Sequence, residues 1–177
     1  SLARATTTSS PVSSATTGTQ SLAPSTTSSP AMPPGTTSAT VIESSDAYLQ
    51  VSKDLAAILQ SDDQRIPELA AQINSTAPDV PLTVYNELQR MSSAVSSELQ
   101  TIKDVTAPSA FVQASSYLEQ AASAMVTRID QTAAGIQAMW SNGTVTAGTP
   151  YFDEGRTARD NYRSAYQKYQ AALPAGQ

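Results

Sequence analysis

The chain has 177 residues, a formal net charge of −5, and neither cysteine nor histidine. The acid excess and the scattered Lys and Arg exclude a nucleic-acid partner, because phosphate backbones are held by clustered cations; an anionic lipid surface is disfavoured for the same reason. Without Cys there are no disulfides or thiolate ligands, and without His the commonest general base and transition-metal ligand are missing.

Residues 1–38 form a Ser/Thr/Pro tract: Thr6-Thr7-Thr8-Ser9-Ser10-Pro11, Pro24-Ser25-Thr26-Thr27-Ser28-Ser29-Pro30, then Pro33-Pro34-Gly35-Thr36-Thr37. Too little apolar surface is present to offset the entropy of ordering, so a disordered tether is expected. Three forms of it remain open: a plain flexible linker, an O-glycosylated stalk, and an arm ordered along a partner. The opening Ser-Leu-Ala-Arg, with no Met, fits a processed mature protein, and no apolar run approaches the ~20 residues that span a bilayer.

Beyond the tract, residues 39–177 are written in helical periodicity and make one domain. Its ~135 residues bury enough surface to be stable without staples. Thr40 followed by Glu43 matches a capping box, and Tyr48, Val51, Leu55, Ile58 and Leu59 then recur at helical spacing up to a polar stop at Ser61-Asp62-Asp63. A short separate helix is expected from Pro67, through Glu68, Leu69 and Ile73, to just before Pro78.

Pro81 opens the next long helix, with Leu82, Tyr85, Leu88, Met91, Val95, Leu99 and Ile102 on one face. After Pro108 comes a stripe of Phe111, Ala114, Leu118, Ala121, Met125, Ile129, Ile136 and Trp140, ended by Asn142-Gly143. The final helix follows Pro150 and turns Phe152, Ala158, Tyr162, Ala165, Tyr166, Tyr169 and Leu173 inward. Four long amphipathic helices with short connections predict an all-α, up-down four-helix bundle with one short extra helix, its alanines at 114, 121, 122, 133, 158, 165 and 172 permitting close approach.

No reactive constellation is legible. A ferritin-like di-metal site needs Glu-x-x-His pairs; Met91, Met125 and Met139 fall on core positions and not at a haem; and no Ser-x-x-Lys occurs around Lys53, Lys103 or Lys168. The chain is read as a non-enzyme without cofactor or metal. Asp62-Asp63 and Asp153-Glu154 lack the alternating spacing of a calcium loop and read as loop polarity and first-turn carboxylates.

The aromatic set Tyr151, Phe152, Tyr162, Tyr166 and Tyr169 is the candidate ligand or partner surface; core, a cleft for a glycan or apolar ligand, and a docking face all suit tyrosine. Asn74-Ser75-Thr76 and Asn142-Gly143-Thr144 fit the N-glycosylation sequon in expected loops, while Asn142-Gly143 also serves as a helix stop.

From Pro108 onward the Pro-x-x-Phe of Pro108 and Phe111, the Ala-rich helix to Trp140, Tyr151-Phe152-Asp153-Glu154-Gly155-Arg156 and the Tyr-rich close resemble small helical-bundle lipoproteins and secreted proteins of Gram-positive-type bacteria. The resemblance is architectural and spans about residues 40–174. It implies an extracytoplasmic bundle on a Ser/Thr-rich spacer, with an N-terminal lipid anchor as its membrane attachment and no catalytic residues to carry over. Three functions are weighed on this basis. They are a structural or protein-interaction module for another protein or envelope component, a binder of a small apolar ligand or glycan, and an accessory subunit of an envelope assembly.

Overall fold

The computed structural model describes residues 37–73 and 77–174, with side chains from residue 45 onward. The tract over residues 1–36, its expected disorder included, and the sequon at Asn74 lie outside the described residues. The described residues are all-α and contain no strand. Four helices, α1 (Thr37–Ala70), α2 (Leu82–Asp104), α3 (Val112–Asn142) and α4 (Thr149–Ala172), form a helical bundle, with 3-10 turns at Ser109–Phe111 and Val145–Gly148.

Proline and glycine set most of the boundaries. Pro81 immediately precedes α2, Pro150 occupies the first turn of α4, and Pro108 sits before the 3-10 turn that leads into α3. Pro fits there because a first-turn amide has no intrahelical acceptor to lose. α3 stops at Gly143, whose φ of 66° is left-handed and whose N–H bonds the Met139 carbonyl at 2.9 Å. Only glycine adopts that conformation without a Cβ penalty.

α1 departs from the expected pattern. The polar Ser61-Asp62-Asp63 does not end it, the described residues show no separate short helix after it, and α1 runs through Pro67 to Ala70. Pro67 forfeits one ladder bond in the last turn, a loss confined to the helix end. Side chains on either side of it supply the compensation: Ile66 and Leu69 are buried, Asp63 pairs with Arg128 of α3, and Arg65 holds Glu87 of α2. The two acidic residues therefore sit mid-helix and are not loop polarity. Asp153 and Glu154 likewise lie beyond the first turn of α4, where Asp153 pairs with Arg156.

The core is one cluster drawn from all four helices. Leu55, Leu59, Leu88, Leu118, Met125, Ile129, Ile136 and Met139 are fully enclosed, each worth roughly 1.5–3 kcal/mol of apolar burial. All three core-position methionines are buried there. Two expected core positions are instead exposed: Leu82 is 61% exposed, its place taken by Val84, and Trp140 is 36% exposed, packed on the half-buried Tyr85 ring at 5.4 Å.

Small residues bring α3 and α4 close. A Cβ at Gly135 would stand 2.5 Å from Phe152 Cε1, and one at Gly148 would stand 2.7 Å from Cε2 of the same ring. Phe152 is thus wedged between two positions that admit no side chain. Ala114, Ala121, Ala122 and Ala133 on α3 and Ala158 and Ala165 on α4 are buried, as their placement on inner faces predicts, and Ala172 is half-buried.

Candidate functional site

The expected aromatic surface divides into two groups. Tyr162, Tyr166 and Tyr169 follow one another along α4 with successive ring centroids 5.7 Å apart. Tyr162 and Tyr169 are buried and Tyr166 half-buried. The Tyr162 hydroxyl donates to the Leu59 carbonyl of α1 at 3.3 Å. Burial pushes the Tyr162, Tyr166 and Tyr169 hydroxyls above the usual phenol range, and Asp63 adds to the shift at Tyr162. The cavity of about 510 Å³ and the cleft of about 460 Å³ described below are not lined by these rings.

Tyr151 and Phe152 stand apart from that ladder at the opposite end of α4. Tyr151 is exposed, whereas Phe152 forms part of a cavity of about 510 Å³ between the C-terminal end of α1, α3, the Val145–Gly148 turn and the first turns of α4. Ile66, Ile73, Val145 and Phe152 give it an apolar wall. Arg128, Arg156 and Arg159 also line it, and no carboxylate does. Asn142, the last residue of α3, is exposed and donates its side-chain amide to the Ala138 carbonyl at 2.9 Å.

Arg128 is the buried member of the trio, only 5% exposed. Its Nη1 donates to Asp63 Oδ1 at 2.5 Å, and Asp63 Oδ2 lies 3.9 Å from Arg163 Nη2. Arg156 and Arg159 are tied to Asp153 and Asp160 on their own helix. Such exposed short-range pairs are weak. The sequence places Arg128 on the apolar stripe of α3, three residues after Met125 and one before Ile129. That intrusion was the available signal, but nothing local identifies a partner in α1.

A second cleft, about 460 Å³, opens between α1 and α2. Asp62 lines it, 8% exposed, with Oδ2 buried and hydrogen-bonded to no described residue. Burial raises its carboxyl to about 6. Arg65 stands in the same cleft but is committed to Glu87, through Nε at 2.7 Å and Nη2 at 3.1 Å, and to Glu68 at 2.6 Å. Those bonds hold the Glu87 carboxyl below its usual range.

Among the described residues no group of three or more acidic side chains is arranged to hold a metal ion, and no helix is long and apolar enough to cross a membrane. In comparisons with known proteins the chain matches no family model, no curated protein and no solved structure.

Proposed function

We propose that the chain is a non-enzymatic, extracytoplasmic interaction module: residues 1–38 a tether, and residues 39–177 an up-down four-helix bundle that presents one end to another protein or envelope component. The up-down order is supported by three cross-links between helices. Arg65 near the end of α1 meets Glu87 near the start of α2, Ser92 of α2 donates to Asp130 of α3 at 2.6 Å, and Tyr162 of α4 reaches Leu59 of α1.

The observation that carries the docking role is the placement of exposed apolar side chains. Leu82, Trp140 and Tyr151 stand at the start of α2, the end of α3 and the start of α4, the ends that adjoin the C-terminal part of α1. Val112, at the start of α3, is the one large exposed apolar residue among the described residues at the other end. The tract joins α1 at its N-terminus. From Ser45 to Ala70 alone the helix spans about 40 Å at 1.5 Å per residue, so the apolar end lies that far along α1 from Ser45. Exposed apolar groups gathered at one place suit a protein partner better than a solvated face does.

An N-terminal lipid anchor and glycans on the tract belong to the same reading, on the strength of the resemblance and the Ser/Thr/Pro composition. The test is site-specific photo-crosslinking in the native host, with the crosslinker at Leu82, Trp140 or Val112. Adducts from positions 82 and 140 and none from 112 are expected. Equal labelling from all three positions, or none from any, overturns the docking end.

A further inference from the structure

We infer that the cavity between α1, α3 and α4 is a binding site for a single-chain amphiphilic carboxylate, an acyl acid whose head meets the arginines and whose tail lies against Ile66, Ile73, Val145 and Phe152. The inference goes beyond the docking role, and its test involves no partner protein, so either can fail alone.

Charge complementarity selects the head group. The chain has seven arginines and a net charge of −5, yet three of those arginines line this one cavity and no acidic residue does. Among the described residues, Arg128 makes a single hydrogen bond, to Asp63, and its other N–H groups donate to none. A guanidinium carries five donors in a planar fork matched to a carboxylate. A fork with donors to spare, on a residue that lines an open cavity, offers an anionic oxygen a charge-assisted partner there. Arg156 and Arg159 bond only to exposed neighbours on their own helix, so either can turn to a ligand at little loss.

Shape selects the tail. About 510 Å³ lies in the range of small-molecule sites, which are apolar with a few placed polar groups. The wall is held open by backbone packing: Phe152 cannot move toward α3 or the 145–148 turn, because Gly135 and Gly148 are already in contact with both sides of its ring. A cationic or neutral amphiphile would fill the apolar part but leave the guanidinium donors unmatched.

The test uses the full chain and isothermal titration with sodium decanoate below its micelle concentration, beside decanol and decylamine. One decanoate per chain is expected, with decanol about tenfold weaker or worse and decylamine weaker still, a tenfold change corresponding to about 1.4 kcal/mol. Val145→Trp, which fills the cavity from a half-buried position, should abolish binding, and Arg159→Gln should weaken decanoate but not decanol. Arg128→Gln should have a larger effect than Arg159→Gln if its circular dichroism is unchanged; the other two variants carry the test if it unfolds. Equal affinity for the three amphiphiles, no decanoate binding, or binding unaffected by Val145→Trp overturns the site.

Discussion

The Arg128 guanidinium, buried on the apolar stripe of α3, donates to Asp63 of α1 at 2.5 Å, joining the two helices through residues 65 positions apart in the chain. A charge enclosed in this way is tolerated only while it is paired, so the bond fixes where α1 lies against α3.

Removing one partner should therefore cost more than removing both. Asp63→Ala leaves Arg128 buried and unpaired, and a loss of about 2–4 kcal/mol is expected, at or below the buried-pair range because Asp63 itself is partly exposed. The double variant Asp63→Leu/Arg128→Met should recover most of it. Urea denaturation of the two variants beside wild type provides the comparison; a double variant no more stable than Asp63→Ala refutes the pairing.

Asp62 should make the fold less stable as pH rises. Its folded-state carboxyl is raised to about 6 from an unfolded value near 4, so the native state holds the proton more tightly between these values. The stabilisation is fully present below pH 4, and stability falls through the window from about 4 to 6 before levelling off, by at most ~3 kcal/mol. Asp62→Asn should remove that slope and be more stable than wild type at pH 7, with little difference at pH 4. Thermal melts across pH 4–7.5 decide the matter, and an unchanged slope in the variant would mean Asp62 is not its source.

Gly135 cannot take a side chain without moving Phe152. Gly135→Ala should destabilise by about 1–3 kcal/mol, the usual penalty of overpacking, even though alanine is the better helix former by up to about 1 kcal/mol. Combining it with Phe152→Leu should relieve part of the loss. If Gly135→Ala alone stabilises the protein, the ring is not held where the structure places it.

Four tyrosine hydroxyls, those of Tyr48, Tyr162, Tyr166 and Tyr169, are pushed above the ordinary phenol range chiefly by burial. Each favours its neutral form in the folded state, so the stability it contributes is present at neutral pH and declines as pH climbs past about 10. Alkaline titration followed by ultraviolet absorbance should show a late phase that merges with unfolding, and Tyr162→Phe should shrink that phase. Ordinary, simultaneous titration of all seven tyrosines would contradict the burial.

The helical class, four long helices and most of the buried stripe are legible along the chain, because periodicity near 3.6 and the Pro and Gly boundary signals are local properties. The end of α3 at Gly143 is such a case: the residue that must adopt a positive φ is the one residue suited to it. Ser61-Asp62-Asp63 and Pro67 read locally as a stop, and they mislead for a physical reason. Whether the helix continues there depends on Ile66 and Leu69 finding a core and on Asp63 finding Arg128, partners that the local sequence does not contain.

The same division holds for the sites. Composition alone removes thiolate and imidazole chemistry, and the tyrosine spacing alone puts Tyr162, Tyr166 and Tyr169 on one side of a helix. Only the tertiary structure separates Phe152 from them, seats it between Gly135 and Gly148, and gathers Arg128, Arg156 and Arg159 around one cavity. Periodicity tells each residue which face of its own helix it occupies, but the identity of the facing residue is set by how helices distant in sequence pack, and that is decided by side-chain shape and charge across the interface.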